Sequence, residues 1–491
     1  QQPFLGRWDR VPELRVHLIR QQRKLLLARD RFGIKPLFYA QSGDRLAFAS
    51  ELNALLSVPG ISRQVDRQAV YDLAALFYIP APATFYQQIR ALEPGAFVEA
   101  TFDGDAVSVT HGRHHRFSIQ IDQSLTLDRA ADIADEKIDR AVKQQMESDV
   151  PLGALLSGGI DSSLVSASAK HATDGDLLTF NARFDDPTHD ESATARAVAA
   201  QIGSVHQTLD LPDNTGGWDH ITSLIRQAGQ PYADTSLFAM HAVCQQMRKH
   251  VAVALSGDGG DEGFGGYTTF QYLEPLAAFR AWSPPFRQLA EHAAGSLGQL
   301  GLLRPGAASH LGALLGGSPT ELFATMSSWI RQPEHARLCR DRDLLPVARH
   351  FEPQWLDDLP ADTSPVDRLS AAASEMRTRM IMANDYLFKV DTASMRESLE
   401  VRVPLLDEDL FDFGLSLPHR LKATPRQSKI VLRAVAGRRL GQHIARLPKH
   451  GFTVPVDRWA SDAFRKQVRD ELCSPSSPLV EYFRPSVYRP I

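Results

Sequence analysis

The chain has 491 residues, of which 43% are hydrophobic and 23% are charged. This length and composition are typical of a globular protein of about two to four domains, and they exclude disordered, collagen-like and disulfide-scaffold proteins. The formal net charge is −4, which does not favour nucleic acid as a partner. The three cysteines, Cys244, Cys339 and Cys473, form neither a CxxC pair nor a zinc-like cluster with histidine, which favours a reducing compartment.

The sequence gives no sign of a membrane segment. Its apolar runs fall short of the roughly 18 residues that a span requires, and its first residues do not follow the pattern of a signal peptide. We therefore expect a cytoplasmic protein that does not bind a membrane. Because the chain begins with Gln1 rather than Met and closes on Ile491 in a proline-punctuated stretch, we also expect an excerpt of a longer protein.

The first hundred residues have the pattern of short strands joined by tight turns. Apolar segments at 24–28, 37–40 and 46–49 are separated by glycine and proline, which predicts a strand-rich region. A polar segment that contains several histidines follows, and a predicted helix comes after it, with small and apolar residues spaced by three and four positions. We therefore predict a first domain at 1–105, a linker at 106–125 and a second domain at 126–491.

From about residue 150 buried strands alternate with amphipathic helices. Segments 152–156 and 177–184 read as strands around a helical stretch, and the run 251–255 follows a second helical stretch. Strands that end in glycine-rich turns before a helix predict a parallel sheet that binds its ligand at the carboxyl ends of the strands. After about residue 273 the pattern is mostly helical.

The sharpest local motif lies directly after strand 152–156 and directly before a helix, and it consists of Ser157, Gly158, Gly159, Ile160, Asp161, Ser162 and Ser163. The two glycines let the backbone approach a polyphosphate, and the hydroxyls and helix amides can donate hydrogen bonds to its oxygens. Asp161 is placed to hold a divalent cation. The Walker A spacing and its lysine are missing, so transfer of a γ-phosphoryl group is not indicated. The alternative is a glycine turn that merely joins strand to helix.

A second glycine-rich motif, at 256–267, follows strand 251–255 and contains Ser256, Asp258 and Asp261. Because both motifs come from strand ends, Asp161 and Asp261 are predicted to share one Mg²⁺ that bridges phosphate oxygens, which leaves Asp258 to face the reacting carbonyl. The residue order does not fit an EF-hand calcium loop. A flexible acidic surface loop is the remaining alternative.

These two motifs resemble the SGGxDSS pyrophosphate loop and the SGDGxDE segment of the glutamine-hydrolysing asparagine synthetase family. Segments 389–395 and 400–407 are similar to that family's KVDRASM and EVRVPFLD segments, and 448–452 resembles its PKxGF segment. In the first block, 27–39 and 48–51 resemble the later half of the family's glutaminase domain. The resemblance spans nearly the whole chain.

The resemblance implies an α/β protein in which an incomplete Ntn-hydrolase (αββα) glutaminase domain, a class II glutamine amidotransferase, precedes an ATP-pyrophosphatase domain. That second domain, of the adenine nucleotide alpha hydrolase-like type, would have a parallel sheet and a helical C-terminal part. In such enzymes ATP and Mg²⁺ adenylate a carboxylate with release of pyrophosphate, and ammonia from glutamine then forms the amide and AMP. Conversion of aspartate to asparagine is the simplest case.

The resemblance also implies roles for individual residues. ATP and pyrophosphate would be bound by Leu155, Ser157, Gly158, Gly159, Asp161, Ser162, Ser163, Ser256 and Gly257, with Mg²⁺ on Asp161 and Asp261.

Three residues are predicted to take part in catalysis. Asp258 stands where the family often has a longer Glu that positions or deprotonates the nitrogen nucleophile, and Lys449 would donate to the leaving pyrophosphate. Lys389 would contact the substrate or a phosphate, with a surface lysine on a helix as the alternative. Arg402 and Asp407 are predicted to be structural, in a buried ion pair.

The first domain departs from the family in one respect. There the nucleophile is a cysteine at the N-terminus, whereas this chain starts with Gln1 and its earliest cysteine is Cys244, which we predict to be a buried structural thiol. We therefore expect either a fragment of a full enzyme, which the abrupt start favours, or an ammonia-dependent variant.

Several alternatives stay open. The same machinery could act on another carboxylate, such as a sugar acid, a peptide or a β-lactam precursor. An inactive nucleotide-binding scaffold is opposed by the retained Asp161, Asp258, Asp261 and Lys449. An RNA-modifying enzyme with a related loop is disfavoured, since no basic and aromatic binding module accompanies it. The expected partners are a small carboxylate and glutamine or ammonia, and a homodimer is an assembly that the sequence leaves open.

Overall fold

The structure is a computed structural model, and it describes residues 15–104, 106–186, 188–211, 217–281, 289, 292–293, 318–330, 332–354, 356, 359–448 and 461–488. Two antiparallel sheets form an N-terminal region at 15–113, and a parallel sheet surrounded by helices forms a C-terminal region at 127–488. None of the helices in these described parts combines the length and the apolar character that crossing a membrane requires.

The N-terminal region contains a four-stranded sheet in the order β1-β2-β6-β7 and a three-stranded sheet in the order β4-β3-β5. Leu25 and Leu27 of β2 are buried in one cluster with Tyr39 of β3, so the predicted strand-rich character is confirmed. The elements are β1 (Arg15–Ile19), a 3₁₀ turn (Arg20–Gln22), β2 (Lys24–Ala28), β3 (Phe38–Ser42), β4 (Arg45–Ala49), α1 (Leu52–Leu56), α2 (Arg67–Leu76), β5 (Ile89–Ala91), β6 (Ala96–Asp103) and β7 (Ala106–Arg113).

The segment 106–125, which we expected to be a linker, begins with strand β7. This strand pairs with β6 along its whole length, from Ala96 opposite Arg113 to Asp103 opposite Ala106. Val107 and Val109 lie partly buried against the core of the N-terminal region, so alternating apolar residues explain the strand. The connection to the C-terminal region therefore starts only after Arg113.

The C-terminal region is built on a parallel five-stranded sheet in the order β10-β9-β8-β11-β12, as predicted. Along β8 the side chain of Ala154 packs in one helical layer and that of Leu155 against the other, so the strand is covered on both faces. The strands and the helices around them are α3 (Leu127–Gln145), β8 (Leu152–Leu155), α4 (Ile160–His171), β9 (Leu178–Arg183), α5 (Ser192–Ile202), β10 (Val205–Asp210), α6 (Trp218–Ala228), α7 (Ser236–Met247), β11 (Val253–Leu255), α8 (Gly260–Phe264), α9 (Thr268–Arg280) and β12 (Glu400–Arg402).

The rest of the described chain is mostly helical, as its pattern predicts. Its longest feature is one continuous helix, in which α12 (Pro365–Met376) passes through a π-helical segment (Arg377–Tyr386) into α13 (Leu387–Arg396). The other elements are α10 (Pro319–Ser327), α11 (Gln332–Leu338), 3₁₀ turns at Val347–Phe351 and Pro404–Leu406, α14 (Glu408–Ser416), α15 (His419–Lys422), β13 (Ala423–Thr424), β14 (Gln427–Ser428), α16 (Ile430–Arg439), α17 (Gln442–Ala445), α18 (Asp462–Cys473), α19 (Leu479–Tyr482) and α20 (Pro485–Tyr488).

A buried lysine in this helical part gives the first testable prediction. Lys422 is 1% exposed and donates to Ser374 Oγ at 3.2 Å, and burial lowers the pKa of its ammonium to about 7. Because this value lies below the usual 10.5, the folded chain binds fewer protons than the unfolded chain between these two pH values. The contribution of Lys422 to stability therefore rises with pH across that window.

Replacement Lys422→Met removes the cost of burying an ammonium, so we expect a gain of about 1 to 3 kcal/mol in the free energy of unfolding at pH 7. The gain should shrink as the pH is raised toward 10, and urea unfolding at several pH values measures it. The exposed Lys143 on α3 supplies the control, Lys143→Met, which should leave both quantities nearly unchanged. A loss of stability in Lys422→Met would contradict the prediction.

Candidate active site

Two loops at the carboxyl edge of the parallel sheet meet as the sequence motifs predict. Strands β8 and β11 are parallel neighbours, with Ala154 opposite Leu255, so the loops that follow them begin side by side. A Cβ atom placed on Gly257 would lie 2.7 Å from the backbone nitrogen of Ser162, in the first turn of α4. The second loop therefore approaches the helix so closely that only glycine fits at this position.

The first loop leaves the start of α4 open for an anion. Gly158 has a φ of +87°, and the backbone N–H of Gly159 donates to Ser157 Oγ at 3.2 Å. Ser157 Oγ lies 3.1 Å from Ser162 Oγ. Gly159 is the N-cap of α4 and offers no side-chain cap, so the amides of the first turn are available to phosphate oxygens. Ser163 is fully buried within α4.

The second loop continues into the short helix α8, and its Asp261 approaches Asp161 through a shared lysine. Lys429 Nζ forms an ion pair with Asp161 and contacts Asp261 Oδ1 at 2.6 Å. Lys429 is 6% exposed and has a φ of +57°, a backbone conformation that these contacts stabilise. Burial alone would lower the pKa of the ammonium, but the two carboxylates outweigh burial and raise it. Asp161 and Asp261 therefore meet at one lysine, and their sharing of Mg²⁺ stays a prediction.

Asp161 and Asp261 both contact the buried ammonium of Lys429. This convergence of two carboxylates is the observation that fits magnesium. Mg²⁺ usually binds proteins through one or two carboxylates and completes its shell with water and substrate phosphates. Within the described residues no group of three or more His, Cys, Asp or Glu side chains has the geometry of a metal site. Asp161 and Asp261 could thus hold Mg²⁺ together with phosphate oxygens.

Asp258, in the second loop, interacts electrostatically with Lys389 on α13. Asp258 accepts a hydrogen bond from Ser256 Oγ at 2.5 Å. Burial raises the pKa of the Asp258 carboxyl, and the Ser256 hydrogen bond and the Lys389 charge offset only part of that rise. Lys389 donates to Asp234 Oδ2 at 2.9 Å and to Ser236 Oγ at 2.8 Å, with only 11% of its side chain exposed. The alternative of a surface lysine is therefore wrong.

Two carboxylates at this end of the site were not found from the sequence, namely Asp234 and Asp385. Burial would raise the pKa of Asp234, but the Lys389 charge and bonds from Ser236 outweigh it and lower the pKa. Burial, with a smaller contribution from Asp234, raises the pKa of Asp385 to about 7, and Tyr232 donates a hydrogen bond to this carboxyl. The available signal was the position of Asp385 one helical turn before Lys389.

The remaining predicted residues have these positions. Leu155 ends strand β8, and Cys244 is fully buried in α7, where burial raises the pKa of its thiol. Lys449 lies outside the described residues. The chain that leads toward it is held by Arg433, whose guanidinium donates to the carbonyls of Ala445 at 2.7 Å and Leu447 at 2.9 Å.

Arg402 and Asp407 have structural contacts, but with other partners than each other. Arg402 Nε donates to Glu400 Oε1 at 2.6 Å, and its guanidinium also donates to two backbone carbonyls at the end of α3. Asp407 is the N-cap of α14 and accepts from the backbone N–H of Leu410 at 3.0 Å. The ion pair of Arg402 is therefore with Glu400, while Asp407 caps a helix.

Comparison with known sequences agrees with the fold. The sequence model of the asparagine synthase family matches residues 134–491, well over half of the chain. The chain belongs to the asparagine synthase family. A second family model, described as a glutamine amidotransferase domain, matches residues 17–111. The family predicted from the motifs is therefore confirmed.

Individual relatives match over most of the chain. A putative glutamine-hydrolysing asparagine synthetase of Mycobacterium tuberculosis is 33% identical over 453 residues, which cover 89% of this chain and 66% of the relative. Asparagine synthetase 1 of Bacillus subtilis is 28% identical over 448 residues, with coverage of 90% and 67%. The amidase chyE of Penicillium rubens is 22% identical over 91% of this chain. The chain thus spans about two thirds of the length of the two synthetases.

The buried lysine gives a prediction about stability. In Lys429→Met the two carboxylates lose the positive charge they share, so we expect a loss of about 3 to 5 kcal/mol in the free energy of unfolding. Added Mg²⁺ should restore part of the loss in denaturant titrations, because it supplies positive charge to the same carboxylates.

A matched control comes from Lys24, which pairs with Glu99 at 2.8 Å while about a third of each side chain is exposed. Lys24→Met should cost less than about 1 kcal/mol and should not respond to Mg²⁺. Equal losses in both variants would show that the Lys429 contacts are not the special feature we describe.

Proposed function

We propose that this chain is an ATP-dependent ligase that converts a carboxylate into an amide through an acyl-adenylate, with aspartate as the substrate and asparagine as the product. The observation that carries the proposal is the approach of Asp161 and Asp261 at the open N-terminus of α4, beside Asp258 and Lys389. Membership of the asparagine synthase family supports the same reaction.

In the first step a carboxylate oxygen attacks the α-phosphorus of ATP, and the bond from that phosphorus to the pyrophosphate oxygen breaks. The obstacle is charge, because two anions must approach each other. The first-turn amides of α4 and the Lys429 ammonium supply positive potential where charge develops on the phosphates. Mg²⁺ bound to Asp161 and Asp261 would neutralise the same oxygens.

In the second step the nitrogen of ammonia attacks the acyl carbon, the bond to AMP breaks, and the nitrogen loses a proton. Asp258 is our candidate for accepting that proton or for holding the nitrogen. Burial raises the pKa of its carboxyl above the usual value, which makes it a stronger proton acceptor than an exposed aspartate. Its side chain is one methylene shorter than Glu, so the reacting nitrogen would have to come correspondingly close.

Asp234, Asp258, Asp385 and Lys389 form one end of the site, which we call the acceptor end. Their charges favour an amino acid as the carboxylate substrate. Asp234, Asp258 and Asp385 all interact electrostatically with the ammonium of Lys389. A substrate that brings an ammonium group would balance this excess of carboxylates, whereas a sugar acid would not. Aspartate carries an ammonium group together with the carboxylate to be activated.

For the nitrogen source we propose glutamine or ammonia, with ammonia as the donor that this chain would use by itself. The family's nucleophile is an N-terminal cysteine, and the first cysteine in this sequence is the buried Cys244, whose thiol pKa is raised. In a longer protein that supplied such a cysteine, glutamine would be the donor.

A second candidate is the same chemistry on another carboxylate. It is favoured by the similarity to the amidase chyE of Penicillium rubens, which aligns with 91% of this chain. An inactive scaffold is the third possibility, and it predicts that ATP binds without release of pyrophosphate.

One assay separates these candidates. We expect pyrophosphate release from Mg-ATP that requires aspartate, with asparagine formed from ammonium but not from glutamine. Asp161→Asn and Asp261→Asn should each lower the rate by about 10² to 10³, because each removes a carboxylate from the cation site. The control Asp128→Asn, on an exposed part of α3, should keep the rate. Near-normal release by either site variant would contradict the metal assignment.

The pKa of Asp385 gives a prediction about pH. If ionised Asp385 binds the substrate's ammonium group, the KM for aspartate should rise about tenfold for each pH unit below the pKa of about 7, where this carboxyl is protonated. Asp385→Asn should raise the KM at pH 8 and remove its pH dependence. The KM for Mg-ATP is the internal control and should change little. A pH-independent KM for aspartate in the unmodified chain would exclude this role.

A further inference from the structure

Segment 77–85 of the N-terminal region lies against the acceptor end of the candidate site. It follows helix α2 and leads toward β5. Three hydrogen bonds join it to the C-terminal region. The N–H of Ala233 donates to Phe77 O at 2.9 Å, and the N–H of Ala81 donates to Asn384 Oδ1 at 2.9 Å. The N–H of Phe85 donates to Gln230 Oε1 at 3.1 Å.

Two of these hydrogen bonds are made by residues that directly precede carboxylates of the acceptor end in the sequence. Ala233 precedes Asp234, and Asn384 precedes Asp385. The two carboxyls also act on each other, since a hydrogen bond with Asp234 favours the protonated form of Asp385. A shift of segment 77–85 would therefore move both Asp234 and Asp385.

Asn384 connects the segment to the π-helical turn that carries Asp385. Its Oδ1 accepts from Ala81, while its Nδ2 donates to the carbonyls of Arg379 at 3.1 Å and Met380 at 2.8 Å. A π-helix has a wider turn than an α-helix and leaves backbone groups that need such partners. By bonding at both ends, Asn384 fixes the rotation of this turn against the N-terminal region.

The segment also brings a side chain toward the same carboxyl. Tyr78 is 2% exposed, and its hydroxyl has no hydrogen-bond partner among the residues that the structure describes. Asp385 is its strongest electrostatic neighbour. A buried hydroxyl without a partner costs free energy, which a bound substrate could recover.

We propose that segment 77–85 is a positioning element of the ligase site, in which Asn384 is the anchor and Asp234 and Asp385 are the groups held in place. The N-terminal region then contributes to recognition of the carboxylate substrate, whether or not it hydrolyses glutamine. This inference rests on the proposed function for its kinetic consequences, but the contact itself is measurable without catalysis.

Asn384→Ala tests the proposal, and Asn53→Ala is its matched control. Asn53 also joins the two regions through two hydrogen bonds, to the carbonyls of Arg226 and Gln227, each at 2.9 Å, but at the end of α6. In Asn384→Ala, amide exchange in peptides that cover 380–389 should become about tenfold faster, whereas Asn53→Ala should leave these peptides unchanged. Equal exchange in the two variants would overturn the proposal.

Kinetics provide the second reading. Asn384→Ala should raise the KM for aspartate about tenfold or more, with the KM for Mg-ATP within about twofold of the unmodified chain. A contact that only stabilises the fold would not change the KM for aspartate more than the KM for Mg-ATP. Equal changes in both constants would count against a positioning role.

A second variant covers the case in which Asn384→Ala does not fold. Gln230→Ala removes only the contact to Phe85 and should shift exchange and the KM for aspartate in the same direction by smaller amounts. If Gln230→Ala behaves like Asn53→Ala in both measurements, the positioning role is refuted. If the unmodified chain releases no pyrophosphate, the proposed function fails, and the exchange experiment alone decides the inference.

Discussion

The buried contact of Lys429 with Asp161 and Asp261 is the interaction on which the rest of the site depends. It brings together the loop after β8, the loop after β11 and the turn before α16. Two carboxylates this close would repel each other in a poorly hydrated site, so a shared cation is needed to hold the loops in position. The loops converge at the start of α4, whose first-turn amides are open because Gly159 has no side chain to cap them.

The glycines of the second motif serve this contact as much as they serve a phosphate. A Cβ on Gly266 would lie 1.7 Å from Asp261 Oδ1, and a Cβ on Gly260 would lie 2.7 Å from Asp161 Cγ. Side chains at either position would push the carboxylates apart. The second motif, whose Asp261 the sequence assigns to Mg²⁺, therefore needs its glycines also for the packing of the ion pairs.

The sequence predicted the local parts of this site and missed the parts assembled over long distances. Each glycine-rich loop could be recognised because it stands between a strand and a helix, and parallel strand ends lie at one edge. Lys429 is 268 residues from Asp161, and nothing in its neighbours marks it as a partner. Asp385 was missed because an acidic residue one turn before a lysine is usually an ordinary helix pair.

The difference between local patterns and long-distance contacts also explains why the start of the predicted linker is a strand. Segment 106–125 was predicted to be a linker because its polar residues outnumber the apolar ones. Val107 and Val109 nevertheless supply enough burial for a strand beside β6. Pairing with a neighbouring strand is a tertiary contribution that a local pattern does not contain.

The helix that carries Lys389 is held from the N-terminal region on both sides of that residue. Asn384, which bonds to Ala81, comes before it, and Asp391, which pairs with Lys35 at 3.0 Å, comes after it. Since Lys389 in turn positions Asp234, any change in how the two regions contact each other would be transmitted to the acceptor carboxylates through a rigid helix. The N-terminal region can thus influence the candidate site without transferring a substrate to it.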